Sequence, residues 1–277
     1  MRFTKMHGIG NDYLYIDGFQ ETVKDPEALA RQMSDRHFGV GSDGLILILP
    51  SAQADFRMRM FNADGSEAEM CGNGIRCLAK YVYDHGLTRK DAITVETLAG
   101  TLPLELTVQG GKVARVRVDM GRPRLERGEI PMLGVPGRVV NEPLAVGDRS
   151  FQVTAVSMGN PHCVSFVPDV AAFPVATYGP LIERHPAFPR RTNAEFVEVL
   201  GPGELRIRTW ERGAGETLAC ATGASATVVA AALTGRAARR AVAHLLGGDL
   251  EIEWAADDHV YMTGPAVEVF QGEWPEG

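Results

Sequence analysis

Four cysteines stand in this chain of 277 residues, at positions 71, 77, 163 and 220, and two of them share a setting. Cys71 opens CGNGIRCLAKYV and Cys220 opens CATGASATVVAAAL, each after a polar loop and before small residues that become helical. Such a thiol sits at a helix N-terminus, where free backbone N–H groups and about half a positive charge favour an anion. The position is expected to lower the thiol pKa from about 8.5 and to cradle a carboxylate, with Gly72, Gly74 and Gly223 permitting close backbone approach. Two such termini around one substrate suit two-base proton transfer. A thiolate removes the proton alpha to a carboxylate, and the opposite thiol delivers a proton to the other face. Cys77, inside its helix, and Cys163 read instead as small buried hydrophobes.

The pairing has a basis in the sequence. Shifted by 149 positions, RMRMFNADGSEAEMCGNG (57–74) lies over RIRTWERGAGETLACATG (206–223) without a gap, and five positions coincide. They are Arg57 with Arg206, Arg59 with Arg208, Glu67 with Glu216, Cys71 with Cys220 and Gly74 with Gly223. Background composition gives roughly one match in such a window. The same shift lays Gly10-Asn11 over Gly159-Asn160 and Gly44 opposite Asn193, with the intervening helix expected at a different offset in each half. A period this long excludes a solenoid and implies two similar domains from a duplication.

The elements that must hold the thiols are mostly strands. Short apolar or alternating runs at 13–16, 45–49, 56–61, 113–118, 153–156, 195–199 and 205–210 predict them. Helices are predicted at 26–33, with Asp25 as N-cap and Pro26 at the first position, at about 74–85 and 222–233, and more weakly after Gly179-Pro180. The third is apolar all round, which suits a helix enclosed by strands. The expectation is a mixed α/β fold.

Composition removes other classes. With 28 Lys plus Arg against 35 Asp plus Glu, the net charge of -7 leaves no basic excess for nucleic acid, so a small polar molecule is the default partner. No apolar leader opens the chain, and the stretch 218–233 is too weakly apolar to span a membrane, which favours a cytoplasmic protein. The cysteines are too sparse for a disulfide scaffold, and CxxC and HExxH do not occur, so no metal site is expected. Gly8-Ile9-Gly10 and Gly213-Ala214-Gly215 do not complete a dinucleotide loop. His162 in GNPH, beside the repeated Gly159-Asn160, is a candidate tuner of a thiol pKa.

These motifs closely resemble the diaminopimelate epimerase family. The likeness runs through KMHGIGND (5–12), RHFGVGSDG (36–44), FNADGSEAEMCGNGIR (61–76), VSMGNPHC (156–163), RTNAEF (191–196), ERGAGETLACATG (211–223) and YMTGPA (261–266). It implies a cofactor-independent isomerase of lysine biosynthesis that interconverts LL- and meso-diaminopimelate, with Cys71 and Cys220 as the two acid/base residues. By the same implication the backbone N–H groups of Gly72-Asn73 and Ala221-Thr222 bind the reacting carboxylate. His162 and Glu211 would adjust the thiols and meet the substrate ammonium, while Asn11, Asn62, Asn160, Asn193 and Arg212 would hold the rest of the substrate. A guanidinium is a planar bidentate partner for a distal carboxylate, and amides pair with either charge. Gly44 stands where some members carry Gln, so it takes no side-chain role, and Ala221 replaces a glycine common after the second cysteine. The family fold implies domains at 1–119, rejoined by 264–277, and at 120–263. Each would wrap strands round a central helix, with the active site in the cleft between them, in a homodimer without metal or cofactor. The alternative is a related cofactor-free proline or hydroxyproline racemase, which a second charged end on the substrate disfavours.

Overall fold

The computed structural model of the protein describes residues 1–275. The chain divides into two compact units, Met1–Asp119 with Thr263–Gly277, and Met120–Met262. Among the described residues no helix is long and apolar enough to cross a membrane.

In the first unit, strands β1 (Arg2–Gly8) and β2 (Asn11–Asp17) form a hairpin. It turns on Ile9 and Gly10, both at positive φ (49° and 91°), the conformation a two-residue hairpin turn requires. Helix α1 (Pro26–Ser34) carries the chain to β3 (Gly44–Leu49), parallel to β2, and β4 (Phe56–Asn62) returns antiparallel. After the short β5 (Glu67–Ala68), helix α2 (Gly72–Asp84) crosses to β6 (Ala92–Thr97), parallel to β4, and β7 (Gly100–Gln109) and β8 (Lys112–Asp119) follow antiparallel.

The second unit repeats this order. Strand β9 (Glu142–Val146) leads into the hairpin of β10 (Arg149–Ser157) and β11 (Pro161–Phe166). Helix α3 (Val175–Glu183) connects to β12 (Asn193–Gly201), parallel to β11, and β13 (Glu204–Glu211) and β14 (Gly215–Thr217) follow antiparallel. Helix α4 (Ala221–Leu233) then crosses to β15 (Arg240–Leu245), parallel to β13, and to β16 (Gly248–Trp254). The chain returns through β17 (Val260–Gly264), and β18 (Val267–Glu273) pairs antiparallel with β1 in the first unit.

The mixed α/β architecture with few helices is the one the sequence pattern predicts, and the offset of 149 holds further than expected. Not only α2 and α4 but also α1 and α3 begin 149 residues apart, at 26 and 175, so the different offset expected for the latter pair is corrected. The misreading arose at Pro180, which reads as a helix start but lies inside α3. A proline lacks the donor an interior position needs and so mimics a first turn.

Each unit packs one helix of the pair on either side of its strands. Helix α4 touches β10, β11, β12, β13, β15 and β16, and Ala224, Ala226, Val228, Val229, Ala230 and Ala231 are wholly buried. A helix of small apolar residues is what strands can close around. On the other side α3 sits over an aromatic cluster in which Phe151, Phe173, Tyr178 and Phe196 meet edge-on or tilted at 4.5–6.4 Å between centroids. The counterpart in the first unit gathers Phe3, Leu14, Ile16, Ala30, Met33, Leu45, Leu47 and Phe61. Two repeated residue pairs also acquire a meaning. Arg59 forks onto Glu67 at 2.7 and 3.0 Å and Arg208 onto Glu216 at 2.6 and 3.1 Å, clamping β5 and β14 in the same way.

Candidate active site

Both cysteines cap a helix of 13 residues in extended backbone conformation, Cys71 at φ -133°, ψ 118° and Cys220 at φ -122°, ψ 105°. Their helices begin at Gly72 and Ala221, slightly earlier than periodicity predicts, because the cap and first turn are too small and polar to show in an apolar pattern. Gly74 and Gly223 lie in the first turns. An added Cβ would lie 2.7 Å from Ile46 Cδ1 at Gly74, and 2.8 Å from a Glu195 carboxylate oxygen at Gly223. Each glycine therefore lets a strand pass close beneath the head of its helix.

In the first unit Cys71, Asn11, Gly72 and Asn73 come together. Cys71 is half-buried; its Sγ accepts from the Gly74 N–H at 3.4 Å and its S–H donates to Asn11 Oδ1 at 3.3 Å. Asn73 Nδ2 donates to the same oxygen at 3.3 Å, while Asn11 Nδ2 donates to Asp43 Oδ2 at 2.7 Å. Asn62 closes β4 opposite Gly44 and donates to Ser66 Oγ at 3.0 Å, outside this group. Gly44 itself has no room for a side chain: a Cβ would lie 2.1 Å from the Phe61 carbonyl oxygen. Tyr13, which the sequence reading passed over, lies by Asn11 and Cys71, and burial pushes its hydroxyl pKa well up.

In the second unit Cys220, Thr222, Asn160 and His162 form a chain. Thr222 Oγ1 is 3.5 Å from Cys220 Sγ and accepts from Asn160 Nδ2 at 3.2 Å, and Asn160 Oδ1 meets His162 Nε2 at 3.0 Å. Asn193 is buried and braces the next strand ends, donating to the Pro161 carbonyl at 3.0 Å and accepting from the Arg212 N–H at 2.8 Å. Glu211 accepts from the Thr217 hydroxyl at 2.5 Å. Arg212 is exposed, with Nη1 donating to the Arg190 carbonyl at 2.9 Å.

Electrostatics corrects one expectation. A helix N-terminus alone lowers a thiol pKa, yet Cys220 is pushed well above its ordinary value. Burial is the main cause, followed by the carboxylates of Glu211 and Glu195, and these outweigh the Thr222 hydroxyl and the Gly223 N–H. Glu211 is pushed up too, by burial first, against the Thr217 hydroxyl and His162. Cys77 and Cys163 are wholly buried, and burial raises both, Cys77 to about 11. Among the described residues no cluster of three or more His, Cys, Asp and Glu could hold a metal ion. A cavity of about 340 Å³ in the first unit, lined by Arg2, Tyr15, Tyr81, His85 and Glu273 among others, includes neither Cys71 nor any of the polar residues grouped with it.

This architecture is shared with crystal structures of distant sequence. A Bacillus anthracis phenazine biosynthesis protein of the PhzF family matches with a TM-score of 0.74 at 17% identity, covering 100% of this chain and 99% of that one. A hydroxyproline epimerase from Agrobacterium vitis matches at 0.72 and 14% identity, covering 98% and 91%. The fold is therefore the duplicated α/β fold of that class. Within it, the chain belongs to the diaminopimelate epimerase family, whose pattern matches residues 3–126 and 154–269. It is 62% identical over 277 residues to the diaminopimelate epimerase of Pelotomaculum thermopropionicum and 59% identical over 277 residues to that of Moorella thermoacetica, covering 99% of each chain in both comparisons.

Proposed function

We propose that this protein is an isomerase that interconverts LL- and meso-diaminopimelate, a reaction of lysine biosynthesis, with Cys71 and Cys220 as the two bases. The observation that carries the reading is the pair of extended N-cap cysteines on twin helices, in a chain 62% identical to a diaminopimelate epimerase. The thiols meet opposite faces of one alpha carbon, and the N–H groups of Gly72, Asn73, Ala221 and Thr222 hold its carboxylate. The developing carbanion is then stabilised by the helix termini in dry surroundings, without cofactor. Cys220 starts as the acid, since burial and two carboxylates hold its proton. Cys71 is the base for one stereoisomer, and the roles exchange for the other. Glu211 and His162 meet the ammonium and balance Cys220. Asn11, Asn62, Asn160, Asn193 and Arg212 hold the remaining groups, Arg212 by leaving Arg190 for the distal carboxylate. The same reading makes the protein a cytoplasmic homodimer.

Turnover of LL-diaminopimelate in deuterated water is expected to label the alpha carbon of product with no cofactor added, and a Cys71→Ala/Cys220→Ala double variant is expected to be inactive. Full activity of that variant refutes the two-base reading. Epimerisation of proline but not diaminopimelate favours the racemase alternative, against which stands the 14% identity to the hydroxyproline epimerase.

A further inference from the structure

The duplicated fold supplies its own comparison. At the 149-residue offset, three buried positions around the cysteine-bearing helix change together: Tyr13, Ile46 and Met60 in the first unit are His162, Glu195 and Thr209 in the second. All six are at most 5% exposed. Ile46 fills the space against Gly74, and the Glu195 carboxylate fills the same space against Gly223. The fold thus accepts an apolar side chain at this place. A wholly buried carboxylate costs desolvation there, and what it binds must account for it.

It binds the other two changed residues. Glu195 Oε1 accepts from His162 Nδ1 at 2.7 Å, and Oε2 accepts from the Thr209 hydroxyl at 2.6 Å. A carboxylate offers only acceptors, so the ring nitrogen facing it carries a proton. The other nitrogen, Nε2, is thereby turned to Asn160 Oδ1 at 3.0 Å, an amide oxygen that only accepts, so Nε2 is the donor there, and Asn160 leads through Thr222 to Cys220. In the first unit the equivalent Tyr13 has Ile46 in place of this carboxylate.

We propose that Glu195 is a positioning residue for the reaction: it holds His162 with Nδ1 protonated and Nε2 turned to Asn160, and so fixes the hydrogen-bonded chain ending at Cys220. Glu195 touches no substrate and acts through His162, as a carboxylate behind an imidazole fixes the ring's orientation. The role rests on the epimerase reading above. The titratable groups around the chain are Glu195 on β12, Glu211 on β13, Cys220 at the head of α4 and Cys163 beside His162 on β11.

The test uses Glu195→Gln, which keeps the shape but presents an amide that can donate to the ring. The expected result is a kcat for LL-diaminopimelate lowered about tenfold or more with KM little changed, and a displaced pH profile of kcat. Nitrogen-15 spectra of histidine-labelled protein are expected to show Nδ1 of His162 protonated in the wild type and altered in the variant. Glu195→Asp, which keeps the charge at shorter reach, recovers part of kcat. Wild-type kcat and pH profile in Glu195→Gln overturn the proposal. So does a wild-type spectrum in which Nδ1 of His162 bears no proton, a measurement that needs neither substrate nor a folded variant. A wild-type chain that leaves diaminopimelate unchanged refutes the functional reading instead, and the Nδ1 spectrum still decides the Glu195 contact.

Discussion

At the scale of single residues, the chemistry of Cys220 is a contest that burial wins. The helix N-terminus, the Gly223 N–H and the Thr222 hydroxyl favour a thiolate, but a thiol 5% exposed beside Glu211 and Glu195 keeps its proton. An anion beside a thiol disfavours a second anion, so removing one moves thiol ionisation to lower pH. Glu211→Gln is accordingly expected to shift the pH midpoint of Cys220 alkylation downward, read by mass spectrometry of the Cys220 peptide. A midpoint that stays or rises contradicts this balance. The two thiols were legible in the sequence because the repeat pairs them. Glu195 and Thr209 were not, since in a strand pattern they read as ordinary alternation until the fold turns Glu195 towards His162 and Thr209 towards Glu195.

At the scale of elements, the heads of α2 and α4 are alike in backbone and unlike in what presses on them. Gly74→Ala meets Ile46 Cδ1, the end of an apolar side chain that can move, whereas Gly223→Ala meets a carboxylate pinned by two hydrogen bonds. Overpacking of this kind costs about 1–3 kcal/mol. We expect Gly223→Ala near the upper end and Gly74→Ala near the lower, compared by urea unfolding; an equal or reversed order would contradict the pinned carboxylate. The repeated arginines and glutamates show the same division of what sequence reveals. Their coincidence is visible in the letters, but that Arg59 and Arg208 each clamp a short strand through a bidentate pair is a fact of folding.

At the scale of the molecule, the epimerase reading makes a demand on both units at once: Cys71 and Cys220 must reach one alpha carbon from opposite faces. An oxidant is therefore expected to inactivate the enzyme by linking Cys71 to Cys220, with reductant restoring activity. Peptide mapping that finds this disulfide in a fully active sample would contradict the demand.

The sequence by itself determined that the chain is a duplication, that its fold is strand-rich α/β, and that Cys71 and Cys220 form the matched pair of thiols. These are properties of letters at fixed spacing, which a shift of 149 positions and the periodicities of strand and helix expose. Only the tertiary structure decided that α3 begins at Val175, that position 44 has no room for a side chain, and that burial holds the proton on Cys220. It also decided that His162, Glu195 and Thr209 act as one buried polar group where the twin unit is largely apolar. The reason is common to all of these. Desolvation, close packing and hydrogen-bond partnership depend on residues distant in the chain, which local pattern does not record.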